Sequence, residues 1–209
     1  MKNTALILTL VLAAVSAVSC TAGDTAPESV TESVTESTTE SATESVTESA
    51  PTAASSSSEE LDFSVLKTFD LASSDLHEGV WDSVITNTSN GSNRSPQLSW
   101  APVEGASDYV VYMIDTTATN WVHWRSVTGG VTDLPAGWAK EKEYVGPYPP
   151  EGTHDYVIYV FALKEPANKV RGALNSSSPE FFKLIKSLDN DGGNILAYGT
   201  IKGTYTRGE

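Results

Sequence analysis

A stretch of 40 residues in this chain lacks the side chains that a packed core requires, which confines the fold to the residues after it. From Thr21 to Glu60 the sequence is mostly Ser, Thr, Glu and Ala, with the units SVTE, SVTE, STTE, SATE and SVTE starting at Ser29, Ser33, Ser37, Ser41 and Ser45. Large apolar side chains are too few there to offset the entropy of ordering the backbone. Nor does the period of four favour a helix, because each glutamate meets the next at i+4 with like charge and Thr and Ser fill half the positions. Residues 20–60 are therefore expected to form a disordered tether beginning at Cys20, with an end-to-end distance of roughly 35 Å. The folding segment runs over residues 61–209, long enough for one domain with a real core and too short for a multidomain enzyme.

Before the tether, Lys2 gives a positive start, Ala5 to Val15 is an apolar run, and Ala17-Val18-Ser19-Cys20 comes next. The run is shorter than the roughly 20 apolar residues of a comfortable membrane span, and residues 1–19 read as a signal peptide. Its ending resembles the lipobox of bacterial lipoproteins, with Ala17 where leucine is commoner. That resemblance implies cleavage before Cys20 and a diacylglycerol on its sulfur. Acyl chains such as palmitate contribute about 0.8 kcal/mol per buried CH₂, so two or more anchor stably. The expected location is the outer face of the bacterial cell membrane, with the membrane as partner through Cys20. As the sole cysteine, Cys20 also excludes an intrachain disulfide.

The formal charge of -14 is unevenly spread: residues 21–60 hold nine of the 27 acidic residues and no Lys or Arg. From Leu61 onward 18 acidic residues face 12 basic ones, with no basic stripe, which argues against nucleic acid as a partner.

Within residues 61–209, turn signals such as Asn90-Gly91, Gly129-Gly130, Pro147 to Gly152 and Gly192-Gly193 separate short apolar stretches. Asp62 to Leu71, Asp108 to Asp115, Trp121 to Val127 and His154 to Leu163 read as strands, and Ile195 to Tyr205 as one or two more, rich in Val, Ile, Tyr and Phe. One helix is expected, with Ser178 as N-cap, Pro179 at the first position and Glu180 near the positive end of the dipole. Phe181, Leu184, Ile185 and Leu188 give it one apolar face, and it should stop before Gly192. The pattern is mainly β with few helices.

Three stretches carry a family likeness: Ser95-Pro96-Gln97-Leu98-Ser99-Trp100; Asp115 followed by Trp121-Val122-His123-Trp124; and Gly146-Pro147-Tyr148-Pro149-Pro150-Glu151-Gly152-Thr153-His154-Asp155-Tyr156. Together they resemble the bacterial, Raf kinase inhibitor-like branch of the phosphatidylethanolamine-binding protein family. The resemblance implies a large antiparallel sheet packed with a smaller one, peripheral helices, and a small anion-binding cavity. It implies that Asp115, His123 and His154 match the family's pocket aspartate and two pocket histidines. Trp121 and Tyr156 match aromatic wall positions, and Gly146 and Pro150 belong to the rim loop. The family usually continues its aspartate as Asp-Pro-Asp-Ala-Pro, where this chain has Thr116-Thr117-Ala118-Thr119, without the prolines and second carboxylate. Asn194 stands where bacterial relatives often have histidine.

Such a set suits a phosphate or carboxylate head. Imidazoles titrate near 6.5 and can donate and supply positive charge, an aspartate behind them can fix a ring tautomer, and N–H groups of a glycine-containing loop can add donors. Anion binding is therefore expected to strengthen where the histidines are protonated. His77 lies outside the motifs and reads as exposed. No Gly-x-Ser-x-Gly elbow, phosphate loop or paired-histidine helix occurs, so no enzyme, metal or cofactor is expected. The expected function is a membrane-tethered binding module for a small anionic ligand; the alternative is a protein-interaction regulator such as a protease or kinase inhibitor, with no protein partner identified.

Overall fold

The period-two alternation of the apolar runs decides the architecture, because it divides one sheet's side chains between two cores. In the computed structural model, which describes residues 61–190 and 192–208, the elements begin with a 3₁₀ turn at Phe63–Val65 and then β1 (Lys67–Phe69), β2 (Leu76–His77) and β3 (Val80–Trp81). A second 3₁₀ turn (Ser83–Ile85) precedes β4 (Leu98–Ser99), β5 (Asp108–Asp115), β6 (Trp121–Val127), β7 (Asp133–Leu134) and β8 (Thr153–Leu163). Helix α1 (Phe181–Ile185) continues as a 3₁₀ turn over Lys186–Leu188, and β9 (Ile195–Thr206) closes the domain. The expected leader, the lipidated Cys20 and the tether lie outside the described residues.

All eight residues of β5 are buried, so both faces of the sheet centre are covered. Tyr109, Val111 and Met113 join Ile158, Val160 and Ala162 of β8 on one face, under Trp81, Trp124, Tyr144 and the small sheet's Leu98 and Leu134. Val110, Tyr112 and Ile114 join Val157, Phe161 and Leu163 on the other, under Phe181, Ile185 and Leu188. The main sheet runs β2-β3-β9-β8-β5-β6, with β4 and β7 forming a separate antiparallel pair. Its β9-β8-β5-β6 centre is antiparallel, as expected, while β1 and β3 add to β9 in parallel.

Two elements depart from the expectation. The run from Asp62 to Leu71 is not one strand, because Asp62 Oδ1 accepts from the Ser64 N–H (2.8 Å) and hydroxyl (2.6 Å), and this local bonding makes a 3₁₀ turn before the three-residue β1. Helix α1 starts at Phe181 rather than after Ser178, with Glu180 at its N-cap. The preceding segment is held extended: Val122 N–H donates to the Ser176 carbonyl (2.9 Å) and Ser178 N–H to the Thr119 carbonyl (3.2 Å). Phe181, Ile185 and Leu188 are buried as the period implied, whereas Leu184 is half-buried.

Strand β9 is one continuous strand through Gly199 and Gly203. Glycine is required at 203 because a Cβ there would meet Leu76 Cδ1 and lie 2.7 Å from Trp81 Nε1, and the Trp81 ring is buried. Gly203→Ala is expected to cost about 1–3 kcal/mol through overpacking, measured by urea unfolding. Gly208→Ala, where nothing lies within 4 Å, should leave the curve unchanged.

Candidate functional site

The register of the sheet places the motif residues at one end. Asp115 at the end of β5 lies opposite Tyr156 of β8 on one side and Trp121 of β6 on the other. Between β5 and β6 the pairing skips His123, since Met113 faces Trp124 and Ile114 faces Val122. His123 is thus the extra residue of a β-bulge, a device that re-aims a side chain and frees backbone groups. Its carbonyl accepts from the Val145 N–H (2.8 Å), which ties β6 to the Pro-rich loop.

At this end a cavity of about 430 Å³ is lined by Trp121, His123, Gly146, Pro150 and His154, all expected site residues. Asn87, Ala118, Val145, Tyr148 and Asn175 complete the lining. Asp115 and Tyr156 stand behind the wall rather than in it. Both are buried, and the Tyr156 ring packs edge-to-face on His123 (centroids 5.3 Å apart) and stacked on His154 (6.4 Å). Burial, reinforced by the neighbouring Asp115 carboxylate, pushes the Tyr156 phenol well above its ordinary range, so it stays an O–H.

Asp115 organises the site through both oxygens. Oδ1 accepts from the backbone N–H groups of Thr117 (2.9 Å) and Ala118 (3.0 Å), and Oδ2 accepts from His154 Nδ1 (2.6 Å). The loop lacking the family's prolines is held by threonines instead: Thr116 N–H donates to the Asp155 carbonyl (2.9 Å), and Asp155 N–H donates to Thr117 Oγ1 (3.0 Å).

His123 Nδ1 lies 2.7 Å from the Val145 carbonyl, which can only accept, so Nδ1 carries the hydrogen and the neutral ring keeps its lone pair on Nε2. Burial holds this imidazole below its usual range, against the opposing pull of the Val145 carbonyl and the Asp115 carboxylate. The expectation of two readily protonated histidines is therefore corrected at His123, because burial penalises its charged form. The stability consequence has a definite sign. A histidine whose folded value is depressed contributes stability fully present above its unfolded value near 6.5 and lost as pH falls through the folded value. His123→Gln should accordingly reduce the acid sensitivity of the melting temperature between pH 7 and pH 5 by a few degrees, read by differential scanning calorimetry. Equal slopes for the two proteins would contradict the burial argument.

The rim differs from expectation in a second way. Gly146 does not offer its backbone N–H to the cavity, because that group donates to Asn93 Oδ1 (2.7 Å). Glycine is needed for close approach: a Cβ would meet the Ile85 carbonyl oxygen and lie 2.9 Å from both Asn87 N and the Thr86 carbonyl carbon. Arg207, near the chain's end, pins the loop from outside, with its guanidinium 3.0 Å from the Pro150 carbonyl and 4.9 Å from the Tyr148 ring centroid. Of the two lining asparagines that sequence reasoning missed, Asn87 and Asn175, the latter has a fixed orientation. Trp121 Nε1 donates to Asn175 Oδ1 (3.2 Å), which leaves the amide hydrogens for a ligand.

Outside the cavity, His77 is exposed on β2 and pairs with Asp82 (3.3 Å). Asn194 is structural: it is buried and bonded to the Leu188 and Glu165 carbonyls (2.8 and 3.0 Å). Among the described residues no group of three or more His, Cys, Asp or Glu is placed to hold a metal, and no helix is long and apolar enough to cross a membrane.

Comparison with known proteins agrees with this fold. The chain is similar to the crystal structure of Escherichia coli YbcL, described as a new member of the mammalian PEBP family, at 25% identity over 67% of this chain and 99% of that one, with a TM-score of 0.52. A phosphatidylethanolamine-binding protein homologue from Chlamydia trachomatis shares the fold at 21% identity, covering 68% of this chain and 99% of its own, also with a TM-score of 0.52. No curated protein matches the chain. Residues 74–206 match the family model described as phosphatidylethanolamine-binding protein, a span that holds every motif residue of the cavity, and the chain belongs to that family.

Proposed function

We propose that the protein is a membrane-tethered, extracytoplasmic binding module whose cavity takes a small anionic group of the phosphate or phospholipid-head type. The observation that carries this reading is the convergence of His123 and His154 on one cavity, each ring held through Nδ1 with Nε2 left for a ligand. Trp121, Tyr148 and Pro150 supply an apolar wall for whatever the head group is attached to. The tethering half of the reading rests on the lipobox-like run ending at Cys20 and the Ser/Thr/Glu segment after it. The site is assigned recognition and not catalysis.

The test is thermal melting of the purified protein with inorganic phosphate, phosphoethanolamine and acetate at pH 6 and pH 8, beside His154→Ala. A ligand bound by the native state alone raises stability by roughly 2.7 kcal/mol at a hundredfold excess over Kd. A shift at pH 6 that His154→Ala removes supports the reading. No shift with any of the three, for a folded His154→Ala control, overturns it. Labelling with palmitate, abolished by Cys20→Ala, tests the anchor separately.

A further inference from the structure

We infer that the cavity is selective for a ligand that brings its own proton: a monoprotonated phosphate or phosphate monoester, in preference to a fully ionised oxyanion of the same shape such as sulfate. This deepens the proposed function and rests on it.

The two imidazoles have their ring hydrogens committed away from the cavity. The Val145 carbonyl takes the Nδ1 hydrogen of His123 (2.7 Å), and the Asp115 carboxylate takes that of His154 (2.6 Å). In their neutral forms both rings therefore present an Nε2 lone pair, which accepts hydrogen bonds and repels oxygen acceptors. Burial of His123 favours that neutral form. The groups that could reverse this polarity are few. Strand β5 contributes Asp115, which is negative; β8 contributes Tyr156 and His154 itself; the rim loop contributes Tyr148. Among the described residues no Lys or Arg lines the cavity, and Arg207 is engaged with the outer carbonyls of the rim.

Against these acceptors stands the Asn175 amide, a donor oriented because Trp121 Nε1 occupies its oxygen. A phosphate monoester near pH 6 fits this mixed set. Its second ionisation lies near pH 6, so about half of it there carries a P–O–H to donate to an imidazole while the other oxygens accept from Asn175. Sulfate has the same tetrahedral oxygens and no proton to give, so it would set oxygen lone pairs against Nε2 lone pairs. A site whose polar groups need a ligand hydroxyl rejects the analogue that lacks it strongly, because its own buried groups are left unpaired.

The test is calorimetric titration of the purified protein with inorganic phosphate and with inorganic sulfate at pH 7 and constant ionic strength. The inference predicts that phosphate binds more tightly by at least about tenfold. It also predicts that Asp115→Asn narrows that ratio. The new amide keeps its oxygen for Thr117 and Ala118, donates to His154 Nδ1, and moves the ring hydrogen to Nε2, so that one acceptor in the cavity becomes a donor. His123→Gln provides a second variant, since its terminal amide can donate where the imidazole offers a lone pair. Equal affinities for phosphate and sulfate, or a ratio unchanged in both variants, overturn the inference while leaving an anion pocket in place. Failure of both ions to bind the unaltered protein overturns the proposed function itself.

Discussion

Asp115→Ala is expected to destabilise the protein by about 3 to 5 kcal/mol, since hydrogen bonds to a charged group contribute about 1.5–3 kcal/mol each and this carboxylate accepts three. The side chain is buried and accepts three hydrogen bonds, two from the backbone of the β5–β6 turn and one from His154. Alanine leaves the His154 ring N–H without its acceptor, at a cost of about 1–3 kcal/mol for a buried donor, and removes the carboxylate from two turn N–H groups that water reaches only in part. For a domain of this size such a loss lowers the melting temperature by about 10 °C or more. Urea unfolding checks the magnitude, with Asp155→Ala as the contrast. Asp155 pairs with Lys202 at 3.0 Å on the exposed face of the same sheet end, and loss of an exposed pair costs about 1 kcal/mol at most.

Gly146→Ala should be nearly as damaging to stability and more damaging to the cavity. The added methyl runs into backbone, the Ile85 carbonyl and the atoms around Thr86 and Asn87, which cannot rotate away as a side chain end can. The rim loop and the segment after Ile85 must then separate. That weakens the bonds from Tyr144 Oη to the Ile85 carbonyl (2.8 Å) and from Asn87 N–H to the Pro147 carbonyl (3.0 Å). Forced overpacking of this kind costs about 1–3 kcal/mol. Because Val145 moves with Gly146, the carbonyl that sets the His123 tautomer moves too, and affinity for inorganic phosphate should fall by more than about tenfold, as expected when a binding group is displaced by about an ångström. Calorimetric titration and urea unfolding of the same variant separate the two effects. A variant that binds phosphate normally would contradict this role of the rim.

How much of this could be read from the chain depended on the length over which a pattern repeats. Strands β5, β6, β8 and β9 fall where their apolar runs placed them, because seven to twelve residues of β-branched and aromatic side chains leave no competing period. The two-residue strands β2, β3, β4 and β7 carry no period at all, so neither the parallel edge on β9 nor the identity of the small sheet was legible. Asp62 and Ser64 made a turn out of what composition read as strand, since their side chains bond locally. In the site, the motif runs identified His123, His154 and Asp115, and register brought them together. Their ring tautomers were not legible, because each depends on the acceptor that meets Nδ1: the Val145 carbonyl for His123, brought there by the bulge, and the Asp115 carboxylate for His154, brought there by the β5–β8 register. Asn175 was invisible for a similar reason: it reaches the cavity from an irregular segment held against β6, 52 residues along from His123, with no pattern to mark it.

The central claim, that His123 and His154 present their Nε2 atoms to an anionic ligand, is tested most directly by nitrogen-15 NMR of the imidazole rings during titration with inorganic phosphate. The chain has three histidines, and His77 lies exposed on β2 as an internal control. Before phosphate is added, His123 should be a neutral ring with its hydrogen on Nδ1. Phosphate should then shift the Nε2 signals of His123 and His154 saturably while leaving His77 in place. Shifts confined to His77, or equal at all three rings, would contradict the claim.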